Sequence, residues 1–316
     1  MPPTYDTIII GGGPAGLSAA LVLGRCRRRV LVVDAGRGRN YAARHMHNFI
    51  TRDGCPPAEL RALARAELRK YGIRVHRGCV TRAACIPGGF RVRIDGKHAA
   101  TARTILFATG VVDDLPTIPG LREHYGLGVH HCPYCDAWEY RDKPIAAYGR
   151  ARKGVGLAMN LRTWSARITV ITDGARLSKS ARAAALENGC DIREAKIARL
   201  ESRNPAKPPS PSNPLARIIF ERGKPLPIRA LFFNTKQVQR SRLPERLGCK
   251  LDENGGVVRD RRQRTGVPGL YLAGDASRDV QFVVVAAAEG AKAGVAINSD
   301  LARRDRDTPN RRPSTP

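Results

Sequence analysis

A glycine cluster between a strand-like and a helix-like segment constrains the fold of this chain most strongly. The β-branched run Tyr5–Ile10 leads into Gly-Gly-Gly-Pro-Ala-Gly at residues 11–16, and small apolar residues at helical spacing follow. In this Gly-x-Gly-x-x-Gly pattern, Gly11 permits a tight turn, Gly13 lets a pyrophosphate approach the backbone, and Gly16 lets the helix pack closely. The cluster predicts a dinucleotide-binding turn.

A second β-branched run completes the unit. Residues 30–33 end at Asp34, which is placed to accept hydrogen bonds from ribose hydroxyls. The first turn of the intervening helix, at Pro14 and Ala15, would direct its positive end at the phosphates. Strand, turn, helix, strand and terminal acid therefore appear in the order that a βαβ dinucleotide-binding unit requires.

Another strand-like run near the end of the chain finishes in an acid. Residues 271–273 precede Gly274 and Asp275, and Gln281 and Phe282 lead into a helix of small residues. An acid at such a strand end can accept a ribityl or ribose hydroxyl, and the following helix can stabilise negative charge on a reduced flavin. A role for Asp275 in capping a turn is the alternative, and this segment alone leaves both open.

The chain carries one Cys-x-x-Cys pair, in the segment His130-His131-Cys132-Pro-Tyr-Cys135-Asp136. Two intervening residues let the sulfurs close a small disulfide ring, and a lowered thiol pKa would favour attack on another disulfide. Zinc is the competing interpretation. A structural zinc site usually needs a second ligand pair, and the other cysteines form no second Cys-x-x-Cys. We therefore expect redox chemistry and no metal.

Length and hydropathy indicate two domains and no membrane span. A chain of 316 residues exceeds the usual size of a single core. The sequence contains no apolar run of about 18 residues, and its polar start resembles no signal peptide. Eight cysteines are too few for a disulfide scaffold in a chain of this length. We expect a cytoplasmic protein.

The formal net charge of +27 raises the question of nucleic-acid binding. Arginines are spread through nearly every segment instead of clustering. Aromatic residues make up only 5% of the chain, so there are few side chains on which nucleic-acid bases could stack. These features argue against a nucleic-acid partner. A basic surface would still attract an acidic small protein or an anionic dithiol.

Taken in order, these motifs resemble those of the low-molecular-weight thioredoxin reductases and their dithiol-oxidase relatives. The resemblance covers about residues 5–300 and includes Ala-Thr-Gly at residues 108–110. It implies an α/β fold of two Rossmann-like domains (three-layer ββα, doubly wound). An FAD domain at residues 1–117 and 244–302 would enclose an inserted pyridine-nucleotide-like domain at 118–243 that carries the Cys pair. A disordered tail at 303–316 and a homodimer are also expected.

The same resemblance implies residue roles. Cys135 would face the flavin, Cys132 would exchange with substrate, and Asp136 would be the acid/base group. His131, beside the thiols, is a further catalytic candidate because it can accept a thiol proton near neutral pH, although a packed histidine is equally compatible, and His130 is a weaker candidate. The expected FAD-binding residues are Gly11, Gly13, Pro14, Ala15, Gly16, Asp34, Ala108, Thr109, Gly110, Gly274, Asp275, Gln281 and Phe282.

The second nucleotide turn departs from the family pattern. In Gly-Arg-Ala-Arg-Lys-Gly at residues 149–154, Ala151 and cationic neighbours stand where the backbone should approach a pyrophosphate. Asp173, at the end of the next strand, would repel a 2′-phosphate, and Phe-Asn-Thr-Lys at residues 233–236 replaces an expected glycine-containing stretch. We therefore expect NADPH to be a poor electron donor, with NADH less disfavoured.

Three functions remain open at this stage. His131-Cys-Pro-Tyr-Cys135 with Trp138-Glu139 is similar to the dithiol oxidases, which favours an FAD enzyme that oxidises dithiols or uses a donor other than NADPH. The second possibility is an NAD(P)H-dependent reductase of a thioredoxin-like protein. The third is a redox-sensing or partner-binding flavoprotein without pyridine-nucleotide turnover.

Overall fold

The structure is a computed structural model that describes residues 4–149, 152–234, 236–277 and 280–307. Its internal contacts divide the chain into two units. Unit 1 comprises Met1–Tyr41, Asn48–Val112 and Gln237–Pro316, and unit 2 comprises Ala42–His47 and Asp113–Lys236. The boundaries differ from those expected at 117/118 and 243/244. At residues 112/113 and 236/237 the chain changes unit inside extended strands, and the short segment Ala42–His47 also belongs to unit 2.

Unit 1 is built on a seven-stranded sheet with the order β3-β2-β1-β6-β5-β4, in which β17 also pairs with β6. The strands are β1 Tyr5–Ile10, β2 Val30–Asp34, β3 Val75–Arg77, β4 Val80–Ile86, β5 Gly89–Ile94, β6 His98–Phe107 and β17 Leu270–Leu272. β1, β2, β3 and β17 lie in parallel pairs, while β4, β5 and the first half of β6 are antiparallel. The helices are α1 Pro14–Arg25, α2 Pro57–Arg69, α6 Leu243–Arg246 and α7 Val283–Arg306.

Alternating side chains of β1 serve two cores. Ile9 packs with residues of α1 and α7 on one face of the sheet, whereas Ile8 and Ile10 pack on the other face with β5 and β17. All three isoleucines are buried, because a central strand is covered on both faces. Burial on both faces explains why the sequence of this strand is a continuous apolar run. This arrangement holds the end of β1, and hence the glycine turn, at the carboxyl edge of the parallel strands.

The last helix is longer than expected. α7 continues to Arg306, so residues 303–306, predicted to belong to a disordered tail, are helical. Asp305 accepts from Arg28 at 2.7 Å and pairs with Arg103 at 2.6 Å, which secures the last turn. Residues 308–316 of the predicted tail lie outside the described residues.

Unit 2 is centred on a five-stranded parallel sheet with the order β11-β10-β9-β15-β8. Helices cover one face and an antiparallel sheet, β12-β13-β14, covers the other, since Ala147 packs with α4 and α5 whereas Ala146 packs with β12 and β13. This three-layer order matches the predicted Rossmann-like class. The elements are β8 Val129–His130, α3 Pro133–Asp136, β9 Ile145–Tyr148, α4 Arg152–Leu161, β10 Ile168–Ile171, α5 Lys179–Glu187, β11 Asp191–Arg193, β12 Ile197–Ser202, β13 Leu215–Phe220, β14 Leu226–Pro227 and β15 Ala230–Phe233.

Two of the segments in which the chain changes unit are strands. β7 Val111–Asp114 and β16 Lys236–Gln239 pair with each other in a two-stranded sheet. Among the described residues, no helix is long and apolar enough to cross a membrane.

Candidate active site and cofactor cradle

The glycine turn after β1 is closely packed at two of its three motif positions. Gly11 has φ +114°, and a Cβ there would lie 2.2 Å from the carbonyl oxygen of Ala108. A Cβ at Gly16 would lie 1.9 Å from the carbonyl oxygen of Gly11. Both distances are far below van der Waals contact, so these two glycines are required by the fold itself.

Gly13 differs from its neighbours because it faces open space. Its φ of −81° suits any residue, and a Cβ there would meet nothing within 4 Å. Thr109, whose amide nitrogen borders Gly11, has a buried hydroxyl with no hydrogen-bond partner among the described residues. An open backbone face at the start of α1 and an unsatisfied buried hydroxyl fit a dinucleotide bound at this turn.

Asp34, at the end of β2, lies against the same turn. A Cβ at Gly12 would be 2.6 Å from the Asp34 carboxyl carbon. One carboxylate oxygen accepts from the Gly36 amide at 3.1 Å, and the other accepts from Arg65 of α2 at 2.6 Å. The position suits the predicted ribose contact, and Arg65 is a neutralising partner that the sequence did not single out.

The two other predicted polar ligands of unit 1 share one arginine. Arg39 donates from Nη1 to Asp275 at 2.9 Å and to the Gln281 side-chain oxygen at 2.6 Å. The amides of Gln281 and Gln237 exchange hydrogen bonds at 2.8 Å in both directions. The structure therefore joins Asp275 and Gln281 in one network, through two residues that sequence reasoning missed.

The backbone after β17 is held by a buried acid. Gly274 has φ +82°, and its amide donates to Glu289 of α7 at 2.7 Å. Glu289 is 5% exposed and forms an ion pair with Arg259. The sequence does contain a signal for Glu289, because it is the first acid in a run of small apolar residues that begins α7.

Ala15 and Phe282 have structural roles at this edge of unit 1. Gly290 approaches Ala15 so closely that a Cβ there would lie 2.0 Å from the Ala15 carbonyl oxygen, which lets α7 pack directly on α1. Phe282 precedes α7 as its N-cap residue, and Pro14 occupies the first turn of α1.

Gly110, with φ +65°, ends the segment that follows β6.

The Cys pair of unit 2 lies on the short helix α3. Cys132 and Cys135 form a disulfide, and both are half-buried. Cys132 is the N-cap residue, and its sulfur accepts from the Cys135 amide at 3.2 Å. This hydrogen bond would stabilise a Cys132 thiolate after reduction. Tyr134, between the two cysteines, is 66% exposed.

Asp136, directly after the disulfide, is contacted by His130. His130 Nδ1 lies 3.2 Å from Asp136 Oδ1, and His130 Nε2 lies 3.1 Å from the Tyr140 hydroxyl. His130 is only 6% exposed. Burial raises the pKa of Tyr140 to about 12, and the carboxylates of Asp136 and Glu139 act in the same direction.

His131 faces a different set of partners. Its Nδ1 lies 2.8 Å from the Tyr125 hydroxyl, and its Nε2 lies 4.0 Å from the buried carboxylate of Asp113. Its ring also stacks on that of Tyr125, with centroids 6.0 Å apart. From the sequence, His131 is the stronger catalytic candidate of the two histidines. In the structure, however, His130 is the histidine that contacts Asp136.

The second nucleotide turn keeps part of the family geometry. A Cβ at Gly154 would lie 2.3 Å from the Gly149 carbonyl oxygen, so the outer glycines of this turn are closely packed. Asp173 accepts from the Ile197 amide at 2.8 Å and from the Tyr148 hydroxyl at 3.4 Å. The departures predicted at Arg150, Ala151 and Thr235 lie outside the described residues.

In the part of the chain that the structure describes, no group of three or more His, Cys, Asp or Glu side chains is arranged to hold a metal ion. The six remaining cysteines are free thiols, namely Cys26, Cys55, Cys79, Cys85, Cys190 and Cys249.

Comparison with known proteins places the chain in a family. The pyridine nucleotide-disulphide oxidoreductase family model matches residues 5–290. A probable thioredoxin reductase of Arthroderma benhamiae is 32% identical over 301 residues, which is 87% of this chain and 74% of that protein. The family model therefore covers both the dinucleotide turn and the Cys pair.

Solved structures agree with this match. The crystal structure of HlmI superposes with a TM-score of 0.90 at 33% identity, covering 96% of this chain and 95% of that one. A putative thioredoxin reductase TrxB from Bacillus anthracis superposes with a TM-score of 0.88 at 30% identity, covering 95% and 99%. Both similarities extend over essentially the whole chain.

Proposed function

Because this chain belongs to the pyridine nucleotide-disulphide oxidoreductase family, we propose that it oxidises dithiol substrates at the Cys132–Cys135 disulfide, with FAD as its cofactor. The family and its thioredoxin reductase relatives make the chain a flavoprotein disulfide oxidoreductase. The direction of electron flow and the residue roles are the proposal. A homodimer belongs to the proposal on the strength of the resemblance, and a cytoplasmic location belongs to it as the expectation drawn from the sequence.

The observation that carries the proposal is the half-buried disulfide on α3 with a carboxylate directly after it. Cys132 accepts a hydrogen bond from the Cys135 amide, which favours a thiolate at Cys132. The resemblance assigns Cys132 as the sulfur that exchanges with substrate and Cys135 as the sulfur that would pass electrons to the flavin, and this hydrogen bond is compatible with that assignment. Asp136 moves the protons that thiol–disulfide exchange requires. His131 is retained as a second proton acceptor beside the pair.

Bound FAD would supply a two-electron acceptor for the reduced dithiol. The residues proposed to hold it are those of the unit 1 turn and network. Gly13 admits the pyrophosphate to the backbone, Asp34 and Asp275 bind hydroxyl groups, and Arg39 keeps Asp275 oriented. The Thr109 hydroxyl, which is buried among the described residues without a partner, would be available to hold the cofactor.

The acid at Asp173 supports a donor other than NADPH. Its carboxylate stands at the end of β10, where a 2′-phosphate would meet a like charge, and it is engaged by the Ile197 amide. The proposal therefore has a dithiol deliver the electrons, with oxygen or another acceptor taking them from the flavin. NADH is less disfavoured, since an acid at this position can accept ribose hydroxyls.

A second candidate is the reverse direction, reduction of a thioredoxin-like protein by NAD(P)H. It is favoured by the names of the relatives, which include thioredoxin reductases. The net charge of +27 would also attract an acidic protein partner.

Anaerobic titration separates these candidates. Purified protein is mixed separately with NADPH, NADH and dithiothreitol, and flavin absorbance is followed. Bleaching by dithiothreitol with little response to NADPH is the expected result. Rapid bleaching by stoichiometric NADPH would favour the reductase instead, and colourless protein that cannot be reconstituted with FAD would contradict both.

A further inference from the structure

His130 joins the dithiol segment to the interior of unit 2. It ends β8, two positions before Cys132, and its side chain is 6% exposed. The centroid of its ring lies 5.5 Å from the ring centroid of Phe232 in β15. A buried imidazole needs partners for both nitrogens. Here one nitrogen contacts Asp136 and the other contacts Tyr140.

The two contacts define how the proton of His130 is arranged. The Tyr140 hydroxyl lies 3.1 Å from His130 Nε2, so in one tautomer of the imidazole it can donate its proton to that nitrogen. The proton of that imidazole then lies on Nδ1, facing the Asp136 carboxylate. Protonated His130 would instead pair directly with the carboxylate. Either form leaves one proton at the interface between His130 and Asp136.

We propose that His130 is a positioning residue for the acid–base step at the Cys132–Cys135 dithiol, acting through Asp136. It orients the carboxylate and shares the proton that the carboxylate takes up and returns. This role rests on the proposed function, and it distinguishes His130 from His131, whose partners are Tyr125 and Asp113.

During thiol–disulfide exchange, the Asp136–His130 pair would hold one substrate proton and later release it. The first substrate thiol gives its proton to the Asp136–His130 pair while its sulfur bonds to Cys132, and the Cys132–Cys135 bond breaks to leave a Cys135 thiolate. The second substrate sulfur then bonds to the first, and its proton reaches Cys135. Cys132 leaves as a thiolate and takes the stored proton. Two electrons pass from substrate sulfurs to enzyme sulfurs, and the pair ends unchanged.

The titratable and charged groups around His130 determine how the rate of disulfide reduction would depend on pH. α3 contributes Asp136, the following 3₁₀ segment contributes Tyr140, and β15 contributes only the apolar Phe232. The charged groups that act on Tyr140 are Asp136, Glu139, Arg229 and Arg44. Loss of the imidazole would therefore remove the side chain that directly contacts Asp136.

The test measures how fast dithiothreitol reduces the disulfide of the holoenzyme across pH, under anaerobic conditions. Reduction is trapped by rapid thiol alkylation and mass spectrometry, with flavin bleaching recorded in parallel. The variants are His130→Gln, Asp136→Asn and the double variant. The matched control is His124→Gln, because His124 is also buried in unit 2, with contacts to the Gly120 carbonyl and Ser202.

His130→Gln is expected to slow disulfide reduction by about 100-fold and to remove an inflection from the pH profile. The double variant should be no slower than Asp136→Asn, because the histidine acts through the carboxylate. His124→Gln should keep the wild-type profile. If His130→Gln is unstable, Tyr140→Phe provides the second variant, and it should shift the same inflection by removing the partner of Nε2.

A wild-type pH profile in His130→Gln, or losses that multiply in the double variant, would overturn the role of His130. The proposed function fails by a different result. Wild-type protein whose disulfide is reduced but whose flavin never bleaches would break the link to FAD, while the alkylation kinetics would still report on His130.

Discussion

Arg39 and Asp275, which are separated by 236 residues in the chain, form an ion pair at 2.9 Å within unit 1. Their side chains are 15% and 19% exposed, and Arg39 also donates to Gln281. The pair connects the loop after β2 to the segment after β17. One arginine therefore orients two residues predicted to bind the flavin nucleotide.

Arg39→Ala is expected to lower both stability and FAD content. Hydrogen bonds to charged groups contribute about 1.5–3 kcal/mol each, and Asp275 would lose its cationic partner. The free energy of unfolding in urea and the ratio of flavin to protein absorbance measure the two effects. Arg25→Ala is the control, since Arg25 is exposed and bonds to Tyr71 at the surface. Normal FAD content in Arg39→Ala would show that Asp275 needs no orientation by Arg39.

Gly13→Ala should fold and yet retain little FAD. A Cβ at Gly13 meets no protein atom within 4 Å and φ is −81°, so the cost to folding is about 1 kcal/mol or less. The same Cβ would occupy the approach of the pyrophosphate. Flavin absorbance after purification, together with circular dichroism, separates cofactor loss from misfolding.

Two further glycines provide the comparison for Gly13. Gly16→Ala should destabilise by about 1–3 kcal/mol or more, because its Cβ would lie 1.9 Å from a backbone oxygen. Gly156→Ala, at an open position inside α4, should stabilise by about 0.5–1 kcal/mol with normal FAD. Full FAD retention in Gly13→Ala would argue that the nucleotide does not approach this turn.

Cys132→Ser and Cys135→Ser should fail in different ways. If Cys135 faces the flavin, Cys132→Ser leaves a thiolate beside oxidised flavin and should show a long-wavelength charge-transfer band. Cys135→Ser should lack that band and trap substrate as a mixed disulfide through Cys132. Absorbance spectra and mass spectrometry record the two outcomes. The band in Cys135→Ser would reverse the assignment, and full activity in both variants would exclude this dithiol from the reaction.

Asp300 predicts an acid-dependent loss of stability. Burial opposes its ionisation, but hydrogen bonds from Arg264 and Tyr271 outweigh that cost and lower its pKa from 3.8 to about 2. A carboxyl whose pKa is depressed by folding contributes stability above its unfolded pKa, and this contribution disappears as pH falls through the folded value. The loss attributable to Asp300 should therefore occur between about pH 4 and pH 2.

Urea unfolding of Asp300→Asn across this range provides the measurement. The variant should be less stable than wild type at neutral pH, and the difference should narrow as pH falls from about 4 to 2. Asp142→Asn, at an exposed aspartate of unit 2, should leave the acid dependence of wild type in place. A constant difference between Asp300→Asn and wild type would contradict the prediction.

Much of the fold could be predicted because its signals are local. The strand, turn and helix around Gly11 and Gly16, the strand ending at Asp34 and the alternation of apolar runs all come from residues adjacent in sequence. The expectation of disorder from residue 303 onwards was wrong for residues 303–306, because the contacts that hold the end of α7 are not local. Charged residues at 303–306 suggest disorder when read alone, but Asp305 bonds to Arg28 and Arg103, which lie far away in the chain.

The sequence by itself determined the glycine turn between strand and helix, the Cys pair and the α/β class, since each depends on spacing within a few residues. Only the tertiary structure decided which partners the site residues have. Among 55 lysines and arginines, nothing local marks Arg39 or Arg65, and their roles arise from strands and loops that meet at one sheet edge. His130 and His131 are adjacent in the sequence, and nothing local shows which of them contacts Asp136. His130 ends β8 and contacts Asp136, whereas His131 follows the strand and contacts Tyr125.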